Sequence, residues 1–101
     1  MSAILPYQVQ ITRRSEKDIE ALRPYSGRVV QELLALEQDP SKGHCLAGEL
    51  KGARSLEFSL PGGAYRALYV VKEQDRTCLV FYIGPHEGAY RVAARRFPAV
   101  R

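Results

Sequence analysis

Three side chains in the second half of the chain are of types that act on phosphodiesters. Arg66 interrupts an apolar run at residues 64–71, His86 follows a second run at residues 77–83, and Tyr90 comes four residues after His86. A guanidinium presents a rigid fork of N–H donors that matches a phosphate, and an imidazole can take up or release a proton near neutral pH. Brought together by the fold, these residues could bind a phosphodiester and transfer a proton.

The two apolar runs are predicted to be neighbouring central strands. Neither 64–71 nor 77–83 alternates between polar and apolar residues, which is typical of strands that are covered on both faces. The charged segment 72–76 between them is too polar to be buried and is predicted to close a hairpin. A hairpin places the start of its first strand beside the end of its second, so Arg66 and His86 are expected at one end of the sheet.

Two helices are predicted before the hairpin. Residues 15–18 match a helix-start pattern in which the serine oxygen accepts a backbone N–H, and Pro24 ends this helix at or just after Leu22. A second helix is predicted from about residue 26 or 27 to about residue 38, because apolar residues recur there with the helical period. The apolar positions of the second helix are Val29, Val30, Leu33, Leu34 and Leu36.

Two further strands and a short helix complete the predicted order. Residues 7–12 and 54–60 alternate between apolar and polar side chains, which predicts strands, the first near a sheet edge. The tail after Gly88 is predicted to form a short helix that Pro98 ends. The expected fold is α+β, a single domain over residues 1–101 in two layers. Two helices from the N-terminal half pack on a small, mostly antiparallel four-stranded sheet, with the short helix at the C-terminus.

Composition favours an anionic partner. The 101 residues include 15 Lys and Arg against 11 Asp and Glu, a formal net charge of +4, and 46% of them are apolar. Four arginines crowd the last eleven residues of the chain. This placement favours a nucleic acid or an acidic protein as the partner, although a charge of +4 alone also fits an ordinary protein surface.

The chain is expected to be cytoplasmic. No apolar run approaches the roughly 20 residues that a membrane span needs, and residues 1–6 lack the basic and apolar regions of a signal peptide. Cys45 and Cys78 are too few for a disulfide framework and form no CxxC pair, so neither a disulfide nor a metal site is expected. Cys78 lies in an apolar strand and is predicted to be a core residue.

Four short segments occur in a characteristic order. They are LKG at 50–52, LEF at 56–58, GAYRALY at 63–69 and GPHEGAY at 84–90. The third resembles the YR-x-x-Y strand of the RelE/ParE superfamily of bacterial type II toxins, and the fourth resembles the G-x-H-x-x-x-Y segment of several RelE-like members, including relatives of YafQ. The resemblance covers nearly the whole chain and implies the RelE fold.

The resemblance also implies a toxin of a type II toxin–antitoxin system. RelE-, YafQ- and HigB-like members are metal-independent endoribonucleases that cut mRNA, typically in the ribosomal A site, by attack of the RNA 2′-hydroxyl on the neighbouring phosphate. ParE-like members are instead non-enzymatic inhibitors of DNA gyrase, and a third alternative is a degenerate homologue that only binds an antitoxin. The expected partner is a short acidic antitoxin, with mRNA and the ribosome as targets of the nuclease and no cofactor.

The resemblance assigns roles to three residues. Arg66 matches the family arginine and is expected to stabilise the phosphate; the alternative is a structural ion pair with Glu57 on the neighbouring strand. His86 is the candidate general acid or base. Tyr90 is expected to orient the 2′-hydroxyl or to stack on a base, with simple packing of its ring as the alternative.

Glu57 marks a departure from RelE itself, which presents lysines on this strand. HigB-like members commonly have a glutamate at this position, and a Glu57 kept ionised by Arg66 could act as a base. His44, in the loop before this strand, is expected to be an ordinary surface histidine. Four basic residues are candidates to hold RNA phosphates instead of the missing lysines, and for each of them the alternative is an ordinary solvated surface charge. They are Lys51, Arg54, Arg91 and Arg95.

Overall fold

The computed structural model describes residues 6–101, in which three α-helices and five β-strands are found. In chain order they are β1 (Gln8–Ile11), α1 (Arg13–Glu20), α2 (Ser26–Leu34), β2 (His44–Cys45), β3 (Arg54–Leu60), β4 (Gly63–Lys72), β5 (Thr77–Pro85) and α3 (Ala89–Arg96). Short 3-10 turns occupy Ala35–Glu37, Gly48–Leu50 and Phe97–Ala99. None of the helices in this range is long and apolar enough to cross a membrane. The expectation about a signal peptide falls almost entirely on residues 1–5, outside the described residues.

The strands form one mixed sheet in the order β1-β5-β4-β3-β2. β3, β4 and β5 are antiparallel neighbours, as predicted, whereas β1 lies parallel to β5 at one edge and β2 pairs with β3 at the other. The prediction of four mostly antiparallel strands is therefore corrected to five strands with one parallel pair. β2 has only two residues, too few to show a periodic pattern. The direction of β1 depends on a pairing with a distant strand, which local periodicity does not record.

The central strands contribute to two cores, one on each face of the sheet. α1 and α2 cover the first face, and α3 covers part of the second. The first core includes Ile19, Val29, Leu33, Leu56, Phe58, Tyr69, Cys78 and Val80, and the second includes Leu50, Leu68, Val70, Phe81, Ala89, Ala93 and Phe97. The fold therefore has three layers rather than the predicted two, which is why β4 and β5 lack polar alternation.

Cys78 lies in the first core, as predicted. It is fully buried, and burial raises the pKa of its thiol to about 11. The thiol is therefore protonated and unreactive near neutral pH.

Helix α1 begins earlier than the sequence pattern predicts. Thr12 is the residue that caps it, because the Thr12 hydroxyl oxygen accepts the Ser15 backbone N–H at 3.2 Å. Ser15, the predicted cap, lies inside the helix and is fully buried. Serine and threonine cap helices comparably well, so tertiary packing around Ser15 decides between the two. The second helix agrees with its prediction to within about a residue when the Ala35–Glu37 turn is included.

Candidate active site

Glu57, Arg66 and Gly84 lie side by side on three neighbouring strands. In the register of the sheet, Glu57 on β3 pairs with Arg66 on β4, and Arg66 pairs with Gly84 on β5. Residues paired in register share a face, and Arg66 shares its face with Leu68, a member of the core under α3. His86 follows directly after β5. The structure therefore brings the predicted residues Glu57, Arg66 and His86 together at one end of the sheet.

The Arg66 guanidinium is buried although no carboxylate hydrogen-bonds to it. Its side chain is 7% exposed, and its Nη2 lies 3.7 Å from Glu57 Oε2 and contacts His86 Nε2. Nε and Nη1 are inaccessible and have no hydrogen-bond partner among residues 6–101. A buried donor without a partner costs about 1–3 kcal/mol and is rare in folded proteins. These two nitrogens are therefore unsatisfied buried donors.

The ring of Tyr90 lies over this guanidinium. Tyr90 is in the first turn of α3, and its ring centroid is 4.5 Å from Arg66 Cζ, a cation–π contact. The residue nevertheless remains 43% exposed. The contact places the Tyr90 ring beside the guanidinium that carries the two unpartnered nitrogens. An exposed aromatic ring at this place can also stack on a nucleobase.

The Glu57 carboxylate lies among three nitrogen-containing side chains. Its Oε2 is 3.6 Å from His44 Nδ1 and 3.7 Å from Arg66 Nη2, and its Oε1 is 3.9 Å from His86 Nε2. These separations are longer than hydrogen bonds, so the carboxylate oxygens keep free lone pairs. Glu57 and the two histidines are each about half exposed. A carboxylate and an imidazole that are adjacent and open to solvent can exchange protons with a bound substrate.

His86 also lines an open cleft beside the turn between β3 and β4. The cleft has a volume of about 340 Å³ and is otherwise lined by residues 62–65, 85 and 87. The His86 backbone N–H donates to the Ala64 carbonyl at 2.9 Å, which fixes the imidazole at the cleft wall.

Tyr82 lies close to the cluster but does not take part in proton transfer near neutral pH. Tyr82 lies two residues before Gly84 on β5, and burial, with a further contribution from the Asp18 carboxylate, raises the pKa of its phenol. Tyr82 is therefore protonated throughout the neutral range. Its hydroxyl packs beside the backbone of Gly84, where a Cβ would collide with it.

His44 is the site residue that sequence reasoning missed. The sequence suggests an ordinary surface histidine, but β2 pairs His44 in register with Ser55 on β3. Ser55 is two residues from Glu57, so all three side chains share one face of the sheet. No periodic signal in the chain reveals this, because the two-residue strand β2 is recognisable only from its pairing with β3.

Two of the expected RNA-binding residues lie away from the cluster. Arg54 is three residues from Glu57 on the same strand and therefore points from the opposite face, where it contacts Cys45 Sγ at 2.7 Å. Lys51 is exposed and follows the turn at Gly48–Leu50. The odd spacing between Arg54 and Glu57 is visible in the sequence and could have separated the two residues.

The other two lie along α3. Arg91 and Arg95, one helical turn apart, line a separate cleft of about 530 Å³ together with Glu49 and Arg101. They begin one residue after Tyr90, so this basic surface adjoins the cluster without contributing to it.

The mixed five-stranded sheet, the paired helices on one face and the polar cluster at one end define a RelE-like α+β fold. Solved structures of RelE toxins match it. A chain of the toxin–antitoxin complex RelBE2 from Mycobacterium tuberculosis is 26% identical with a TM-score of 0.72, and the match covers 81% of this chain and 100% of that chain. The resemblance inferred from the four segments is therefore confirmed.

Two Escherichia coli structures match in the same way. A mutant of the toxin RelE in the free state is 18% identical with a TM-score of 0.73, over 96% of this chain and 100% of that chain. A chain of the intact RelBE toxin–antitoxin complex is 19% identical with a TM-score of 0.63, over 80% of this chain and 98% of that chain. At these identities the likeness establishes the fold. No family model and no curated protein matches the sequence.

Proposed function

We propose that this protein is the toxin of a type II toxin–antitoxin system and acts as a metal-independent mRNA endoribonuclease. The similarity to RelE toxins supports the toxin role. The observation that carries the nuclease activity is Arg66, a buried guanidinium with two unsatisfied nitrogens beside a carboxylate and an imidazole. A phosphodiester supplies the acceptor oxygens that those nitrogens lack.

The reaction requires one bond to form, one to break and two protons to move. The RNA 2′-oxygen attacks the adjacent phosphorus while Glu57 accepts the 2′-hydroxyl proton. The bond to the 5′-oxygen breaks as His86, in its protonated form, donates a proton to it, leaving a 2′,3′-cyclic phosphate and a 5′-hydroxyl. Arg66 stabilises the charge that develops on the phosphate. His44 holds the Glu57 carboxylate from its other side, 3.6 Å away.

Tyr90 changes partner when RNA binds. In the free protein its ring rests on the Arg66 guanidinium. The scissile phosphate takes this place, and the displaced ring stacks on the neighbouring base or orients the 2′-hydroxyl. The cation–π contact leaves the hydrogen-bonding positions of Nε and Nη1 for the phosphate oxygens.

The partners follow from the same proposal. Two of the matched structures are complexes of a toxin with its antitoxin, which supports a cognate antitoxin for this chain. An acidic antitoxin complements the formal net charge of +4. The RNA substrate is mRNA on the ribosome, presented in the A site.

The test is primer extension on a reporter mRNA after pulse induction of the chain. Discrete cuts within the translated frame are expected with the wild type. They should vanish with His86→Ala and with Arg66→Ala, since the first removes the proton donor and the second removes the group that binds the phosphate and stabilises its developing charge. Arg28→Ala, an exposed arginine on α2, is the matched control and should cut normally.

The outcome against the proposal is equally clear. Growth arrest with intact mRNA would exclude the nuclease and direct attention to DNA gyrase. Cuts that persist in both the His86 and the Arg66 variants would show that the nuclease uses other residues. Circular dichroism of the purified variants separates loss of activity from loss of fold.

A further inference from the structure

A second cleft lies at the edge of the sheet, away from the Glu57–Arg66–His86 cluster. It has a volume of about 330 Å³ and forms where the start of α1 meets the end of α3. Its lining consists of Thr12, Arg13, Arg14, Phe81, Arg95, Arg96, Ala99 and Val100. We call it the edge cleft. Four of its eight lining residues are arginines, so its charge needs an explanation.

One of the four arginines, Arg96, is held by hydrogen bonds to other parts of the fold. Arg96 donates to both oxygens of Asp18, at 2.6 and 3.2 Å, and to the Phe81 carbonyl at 3.1 Å. Asp18 Oδ2 also accepts the backbone N–H of Ile83 at 3.1 Å, at a point of β5 beyond its pairing with β1. This pair joins α1, β5 and α3, and it holds the two walls of the edge cleft at a fixed separation.

The other three arginines have no acidic partner. Arg13, Arg14 and Arg95 are exposed, and no described carboxylate lies within ion-pair distance of any of them. Three like charges around one cleft repel each other, so the arrangement is unfavourable unless an anion binds. The apolar lining residues are Ala99 and Val100, which reach the surface, and Phe81, which is fully buried beneath it.

Helix α3 links the edge cleft to the candidate active site. Tyr90, over Arg66, is in the first turn of this helix, and Arg95 is in its last turn. The helix has eight residues, which corresponds to a length of about 12 Å. Arg91 lies between them and shares with Arg95 the cleft that contains Glu49. A basic track therefore leads from the catalytic cluster to the edge cleft.

We propose that the edge cleft binds the phosphate backbone of the same RNA strand, a few nucleotides from the scissile phosphate. The inference rests on the proposed nuclease function and adds a second site to it. Guanidinium groups around apolar lining residues fit a single-stranded nucleotide, whose phosphates are anionic and whose base is flat and apolar on its faces. Arg13 and Arg14, which the sequence patterns did not single out, become RNA-binding residues.

The test uses the full chain and non-cleavable RNA. Binding of 2′-O-methyl RNA of three and of ten nucleotides is measured by fluorescence anisotropy over a range of salt concentrations. The triple variant Arg13→Gln/Arg14→Gln/Arg95→Gln is expected to bind the long RNA about tenfold or more weakly at low salt and the short RNA normally. Its salt slope for the long RNA should fall by about 2, because each phosphate contact on a single strand contributes about 0.7.

The matched control removes the same charge elsewhere. Arg23→Gln/Arg28→Gln/Lys42→Gln changes three exposed residues outside the edge cleft and should retain the wild-type slope. If the first variant keeps its RNA affinity, its salt slope and its melting temperature, the RNA-binding role of the edge cleft is overturned. The proposed nuclease function is not affected by that result. Failure of the wild type to bind either RNA would overturn the edge cleft as an RNA site, while the primer-extension assay tests the proposed function separately. Poly-L-glutamate binding that depends on the three arginines, with RNA binding unaffected, would assign the cleft to an acidic protein instead.

Discussion

Arg66 and Arg96 are both largely buried, but they differ in their hydrogen-bond partners. Arg96 is 16% exposed and makes two hydrogen bonds to Asp18 and one to a backbone carbonyl. Arg66 is 7% exposed, has its nearest carboxylate at 3.7 Å, and leaves Nε and Nη1 without partners among residues 6–101. The more deeply buried charge is thus the less satisfied one.

On the proposed function, the difference separates an arginine that stabilises the fold from one that binds the substrate phosphate. A buried ion pair with good hydrogen-bond geometry holds its elements together, and breaking it is costly. A buried guanidinium without acceptors is costly as it stands and becomes favourable only when an anion arrives. Such groups are found where function requires them.

The largest expected effect is a fall in the cleavage rate of the Arg66→Lys variant. Lysine keeps the positive charge but loses the planar fork that binds two phosphate oxygens. We expect a fall of about 10²–10³-fold in the single-turnover rate with saturating RNA, the magnitude seen when a transition-state donor is removed. Arg96→Lys should retain most of the rate. Wild-type activity in the Arg66→Lys variant would mean that charge alone suffices at this position.

The next effect is on stability, through Asp18. Asp18→Ala leaves Arg96 without its carboxylate and the Ile83 N–H without its acceptor. The free energy of unfolding should fall by about 2–3 kcal/mol, measured by urea denaturation. A double-mutant cycle with Arg96→Ala isolates the pair. A coupling energy close to zero would place the stability of this edge in other contacts.

His44 should have an intermediate effect on catalysis. His44→Ala removes the imidazole that lies 3.6 Å from Glu57, and we expect about a tenfold lower cleavage rate with unchanged RNA affinity, equivalent to about 1.4 kcal/mol. A surface histidine without a role would leave the rate unchanged.

The smallest expected effect comes from replacing each arginine with methionine. It also gives the sharpest contrast, because the two replacements should change stability in opposite directions. Arg66→Met replaces an unsatisfied buried charge with an apolar side chain of similar length and should raise the free energy of unfolding by about 1 kcal/mol. Arg96→Met should lower it, because Asp18 loses its partner. Thermal melts of the two variants beside the wild type provide the comparison. Equal destabilisation by both would show that Arg66 is a structural residue.

Much of the fold follows from local pattern. The strand predicted at residues 54–60 is β3, the apolar runs form β4 and β5, and Ala89, Ala93 and Phe97 make the buried side of the C-terminal helix. The expected contact of Arg66 with Glu57 across neighbouring strands is also present. These features depend on side-chain periods of two or 3.6 residues, on unbroken apolar runs and on a short hairpin, all of which the sequence records directly.

Only the tertiary structure decided the rest. The parallel pairing of β1 with β5, the placement of α3 on the second face and the approach of His44 to Glu57 all join segments that are distant in the chain. So does the Asp18–Arg96 pair, whose members are 78 positions apart. Local sequence determines the face on which a side chain lies within its own element. Which other element that face meets depends on packing the whole chain into two cores. The same packing determines the different surroundings of Arg66 and Arg96.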